Sequence, residues 1–144
     1  MAEDLREQYM MTLRRLKEIC AEREGYQRPE LNETLELQYK GFGKIDNLHH
    51  YYNIHALFLE QNSIVVIEGL DELHKLKCLY LAKNRICKIE NISHLSNLCH
   101  LDLSNNPIEK IEGLKGLTNL KIFKATHCRI EQLENCEGLR ECQS

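Results

Sequence analysis

No apolar run in this 144-residue sequence approaches the roughly 18 residues that a membrane-crossing helix needs. The N-terminal MAEDLREQYMM is charged and lacks the apolar core of a secretory signal, so a cytoplasmic location and no membrane partner are expected. Positive charge is not in excess. With 19 Lys and Arg against 22 Asp and Glu, the formal net charge is -3. Nucleic-acid binders carry a basic face, so no nucleic-acid partner is expected either. No C-x-x-C pair occurs, and the 7 cysteines are odd in number. Neither a disulfide framework nor a common zinc spacing follows, and reduced structural cysteines are expected. Gly-rich phosphate loop, H-E-x-x-H helix and G-x-S-x-G elbow are all missing. The reading is therefore of a non-enzyme without cofactor or metal. At 144 residues the chain is long enough for one domain and too short for two of ordinary size.

What is present is a repeat. Leu35, Leu57, Leu79, Leu101 and Phe123 stand 22 residues apart, and each opens one seven-point apolar pattern. The third copy reads Leu79, Leu81, Ile86, Ile89, Ile92, Leu95, Leu98. The flanking copies keep the register with substitutions: Phe42 and Tyr51 in the first, Ala125, Cys136 and Cys142 in the last. This is the pattern of a leucine-rich-repeat solenoid, α/β in class, and solenoids of this size generally bind proteins. The repeats fall at 35–56, 57–78, 79–100, 101–122 and 123–144, after a helical cap and linker over 1–34.

The spacing changes within each repeat. Leu79 and Leu81 are two apart and share one face of a short strand. From Ile86 onward apolar residues come every three, which suits 3₁₀ turns or an extended arc better than an α-helix. A parallel sheet on the concave side and irregular or 3₁₀ turns on the convex side are predicted. Asn62, Asn84 and Asn106 follow the strands at a fixed offset, where an amide that donates and accepts can satisfy backbone groups as the chain turns. Cys128 takes that slot in the last repeat. Asp46, Glu68, Glu90, Glu112 and Glu134 form an acidic column, directly followed by Asn47, Gly69, Asn91, Gly113 and Asn135. The second column is a positive-φ turn signature. The carboxylates either accept backbone N–H bonds in the outer turns or present a docking stripe, with Lys44, Lys88 and Lys110 offsetting part of their repulsion.

Residues alternating with the inward leucines face solvent on the sheet. Phe58 and Tyr80 fall at one level, and Asp102 and Lys124 continue that row. Aromatics dominate interface hot spots, so the concave face, with Phe58, Glu60, Tyr80, His100, Asp102 and Lys124, is the candidate protein-binding surface. Ordinary cross-strand packing is the competing reading. The histidines in LHHYYNIH, His49, His50 and His55, occupy different repeat offsets and no acidic cluster joins them, so surface histidines are expected rather than a metal site. Cys99 and His100 are neighbours on a strand and face opposite ways, which removes them as a catalytic pair.

At the N-terminus Leu5, Tyr9, Leu13, Leu16 and Cys20 recur at helical spacing, with Met10 and Ile19 flanking them. One amphipathic helix of about five turns, ending before Gly25, is predicted to cover the first repeat. The linker Tyr26 to Asn32, carrying Pro29, turns the chain into the first strand. No cap follows Cys142. Either a partner covers that edge or the sequence is a truncated product, the second being the expectation. A monomer is expected unless that edge pairs, and Phe123 to Ser144 should exchange amide protons faster than repeats two to four.

Finer motifs carry a resemblance. NRICKIENISHLSNL and NPIEKIEGLKGLTNL are similar to the repeat subclass typified by a phosphatase regulatory subunit. PELNETLELQYKGFGKIDNL followed by IHALFLEQNSIVVIEGL, with KGF at Lys40 to Phe42 replacing the asparagine turn, resembles the leucine-rich-repeat axonemal dynein assembly factor 1 family. MTLRRLKEICAEREGY resembles that family's cap helix, and the likeness runs over residues 11–122. The resemblance implies a cytoplasmic, non-enzymatic factor that preassembles outer and inner dynein arms before transport into cilia or flagella. Axonemal dynein chains and chaperones would be its partners. Family members are longer, with a sixth repeat, a cap and a further C-terminal region. A phosphatase regulatory subunit and an axonemal structural component are the alternatives.

Overall fold

Leucines two apart, repeated every 22 residues, build a parallel sheet one strand per repeat. In the computed structural model, which describes residues 2–133, the strands are β1 (Thr34–Glu36), β2 (Ala56–Phe58), β3 (Cys78–Tyr80), β4 (His100–Asp102) and, after a short β5 (Lys110–Ile111), β6 (Ile122–Lys124). They form a parallel sheet in the order β1-β2-β3-β4-β6. Each strand is shifted from its neighbour by one repeat: Leu35 faces Leu57, Leu57 faces Leu79, Leu79 faces Leu101, and Leu101 faces Phe123. That middle residue is buried in every strand. Glu134, Asn135, Cys136, Cys142 and the end of the fifth repeat lie outside the described residues, as does half of the segment expected to exchange fastest.

The three-residue apolar spacing resolves into successive tight turns. Leu73 N–H donates to Leu70 O at 3.1 Å and Leu76 N–H to Leu73 O at 3.1 Å. The same i to i−3 bonds recur at Leu95, Leu98, Leu117 and Leu120. A turn closed every three residues brings every third side chain inward, which is why these leucines are buried without a helix. The sequence reading did not anticipate one small feature of the outer arc: β5 pairs in parallel with β7 (Gln132–Leu133), one repeat apart.

Polar columns close the turns. Asn84 Nδ2 donates to Leu59 O at 2.9 Å and Leu81 O at 3.0 Å, while its Oδ1 accepts from Ile64 N at 3.0 Å. Asn62 and Asn106 repeat the arrangement one repeat either side. Each amide thus satisfies at least three backbone groups from two coils. Cys128 manages only part of this, its thiol donating to Leu103 O at 3.4 Å. Asn47, Gly69, Asn91 and Gly113 all have positive φ. At Gly113 a Cβ would come within 2.6 Å of Ile89 O, so glycine is required there on two counts. A second positive-φ column, Tyr39, Gln61, Lys83, Asn105 and His127, was not expected because most of those residue types carry no such signal. In the acidic column, Asp46 Oδ1 accepts the Asn47 N–H at 2.8 Å. Lys88–Glu90 and Lys110–Glu112 pair at 3.7 Å.

The single five-turn cap helix is corrected by the structure. Two helices form, α1 (Ala2–Glu7) and α2 (Leu13–Glu22). The break has a cause. Thr12 Oγ1 caps α2 by accepting Arg15 N–H at 3.1 Å. Met11, 2% exposed, is drawn into the solenoid, its carbonyl accepting from Asn47 Nδ2 at 2.8 Å. Leu5 and Tyr9, assigned to the buried face, are 63% and 54% exposed. Leu16, Ile19 and Cys20 do pack on the first coil, with the Tyr9 ring lying over Gly41. Full burial of an aliphatic such as Leu16 contributes about 1.5–3 kcal/mol.

Candidate functional site: the concave face

Alternation along the strands puts the first and third residue of each on the concave side. The third positions read Glu36, Phe58, Tyr80, Asp102 and Lys124 in register. Phe58 and Tyr80 stack with ring centroids 4.7 Å apart and planes 18° apart. The His100 ring meets Tyr80 edge-on at 4.8 Å, with the phenol 3.4 Å from Nδ1. The two aromatics are half-buried rather than fully exposed, because each ring covers a face of its neighbour.

Charge surrounds the stack. Burial raises the Tyr80 phenol above its ordinary value, with Cys78, Glu60 and Asp102 adding to the effect. Burial chiefly raises the Glu60 carboxyl, and the nearby carboxylates Asp102 and Glu36 push it the same way. His100 is lowered by burial and by Lys124, against a smaller opposing pull from Asp102. Asp102 also accepts the Ser104 N–H at 3.0 Å. Glu36 forms an ion pair with Arg23, the residue that caps the C-terminus of α2, so the cap reaches the edge of this face. Glu60 Oε2, Gln38 Oε1 and His100 Nε2 are buried and have no hydrogen-bond partner among the described residues.

The structure brings Phe58, Tyr80, His100, Asp102 and Glu60 into one contiguous patch, with Lys124 at its far end on β6. Two members were missed, Glu36 and Gln38. Each stands one repeat before a named residue, Phe58 and Glu60, so the register alone could have found them. Among the described residues no group of three or more His, Cys, Asp or Glu is placed to hold a metal ion. No helix there is long and apolar enough to cross a membrane.

Comparisons with known proteins agree on the architecture. A family model described as leucine-rich repeats in two copies matches residues 96–140. An internalin from Listeria monocytogenes has a TM-score of 0.60 at 18% identity, over 75% of this chain and 44% of that one, which shows the fold. The dynein axonemal assembly factor 1 homolog of Drosophila erecta is 47% identical over 54 residues, 38% of this chain and 4% of the relative. The leucine-rich repeat-containing protein ODA7 of Chlamydomonas reinhardtii is 40% identical over 58 residues, 40% of this chain and 13% of the relative. The human dynein axonemal assembly factor 1 is 41% identical over 49 residues, 34% of this chain and 7% of the relative. These aligned stretches cover a small part of the relatives and are shorter than the resemblance read over residues 11–122. The chain is a leucine-rich-repeat solenoid similar in sequence, over those stretches, to dynein axonemal assembly factor 1 and to ODA7.

Proposed function

We propose that this chain is the protein-binding module of a non-catalytic factor for axonemal dynein arm assembly, working in the cytoplasm before cilium or flagellum entry. The observation that carries the reading is the similarity to dynein axonemal assembly factor 1 of fly and human. The concave row supports a docking surface: a stacked aromatic pair flanked by charge, standing on a rigid sheet, has the composition of an interface anchor. Axonemal dynein chains and chaperones are the partners this reading names.

The test is affinity purification from the cytoplasm of ciliating cells with mass spectrometry, comparing wild type with Phe58→Ala/Tyr80→Ala. Dynein heavy or intermediate chains should be captured and then lost in the double variant, whose circular dichroism stays that of the wild type. Binding that survives within about twofold would remove the concave anchor. A phosphatase catalytic subunit recovered without dynein would replace the assembly role with a regulatory-subunit one.

A further inference from the structure

We propose that the depression at the C-terminal ends of β1, β2 and β3 on the concave face seats an arginine side chain of the protein partner. This rests on the reading of the concave face as the docking surface. Gln38 and Tyr39, Phe58, Glu60 and Gln61, and Ala82 and Lys83 line the depression, from three successive coils. Two of them present buried oxygens, Gln38 Oε1 and Glu60 Oε2, that find no hydrogen-bond partner among the described residues. They lie one repeat apart, at the same level on adjoining coils, which are separated by about 4.8 Å. Buried acceptors without donors are costly, so a ligand that brings several N–H groups is strongly favoured there.

Three features select a guanidinium among donors. Phe58 lines the depression and Tyr80 stacks on only one of its faces, which leaves ring surface for a planar cation to lie against. The donor must reach oxygens on two coils at once, which a planar fork does and a single ammonium does less well. No cation already in the site bonds the two buried oxygens. Arg23 is committed to Glu36, and Lys83 on the rim is exposed, so neither supplies the two buried oxygens. The Glu60 carboxyl, raised chiefly by burial and further by Asp102 and Glu36, is in keeping with this, because an incoming positive charge offsets both.

The probe is a blocked Gly-Arg-Gly peptide titrated into the full chain and followed by NMR, with lysine and citrulline versions as controls. Saturable shifts should appear at Gln38, Phe58 and Glu60. Glu60→Gln or Phe58→Leu should weaken binding about fivefold or more while thermal melting shows the fold retained. Equal binding of the lysine or citrulline peptide, or shifts confined to other faces, would overturn the arginine seat. Should dynein capture be lost in Phe58→Ala/Tyr80→Ala yet persist in Glu60→Gln, the docking reading stands and the arginine seat falls. If the arginine peptide binds but wild type captures no dynein chain, the seat stands and the assembly role falls.

Discussion

The core side of the sheet repeats itself, whereas the concave side changes at every step. Inward, the column reads Leu35, Leu57, Leu79, Leu101, Phe123, all buried. Outward and one residue on, it reads Glu36, Phe58, Tyr80, Asp102, Lys124. Both columns share one backbone geometry, so geometry does not cause the difference. A coil must bury an apolar group at the same point each time, and leucine meets that need repeatedly. The concave residue meets no such constraint, so its identity is free to differ from coil to coil. In a solenoid, uniform columns report on the fold and variable ones on recognition.

The contrast is broken most directly at a uniform column. Asn84→Ala strips donors from Leu59 O and Leu81 O and an acceptor from Ile64 N, and should cost about 1–3 kcal/mol in denaturant unfolding. A melting curve matching wild type would refute the ladder's structural role. Next in size is a repair: Cys128→Asn, restoring the amide where only a thiol reaches Leu103 O, should stabilise by about 1 kcal/mol. Smaller again is Lys83→Gly. Its φ of 58° is unfavourable for an L residue, and relief of that strain less the entropy of glycine leaves a gain of about 0.5 kcal/mol.

The smallest effect lies on the variable face and depends on pH. The folded Glu60 carboxyl is raised, so it holds its proton more tightly in the native state than in the unfolded chain. Its ionisation therefore costs stability as pH rises through the folded value, and the cost is absent below the unfolded one. Glu60→Gln should accordingly melt above wild type at neutral pH, with the gap closing on acidification below the ordinary carboxylate range. A gap independent of pH would mean that the carboxyl's charge is not the cause.

Much of the fold was legible from spacing alone. The strand centres, their register and the positive-φ turns at Asn47, Gly69, Asn91 and Gly113 follow from one period and from residue types with plain conformational meaning. The cap was less legible. Leu5 and Tyr9 share a helical period with Leu16, but a period does not reveal that Met11 makes a better bond to Asn47 outside a helix. The turns at Tyr39, Gln61 and Lys83 were hidden for a related reason: the positive φ recurs with the repeat, even at His127 where Cys128 rather than an asparagine follows, and the residues themselves do not advertise it. On the concave face the aromatic pair could be read from register, whereas its half-burial and the unpartnered oxygens beside it could not.

Sequence by itself determined the coil, because a strict 22-residue period makes each repeat's burial demand identical and lets neighbours stack in only one register. Tertiary structure decided where the cap breaks and which polar atoms on the concave face are left without partners. Those outcomes depend on side chains a full coil apart meeting in space, and on donors and acceptors that either find each other or do not.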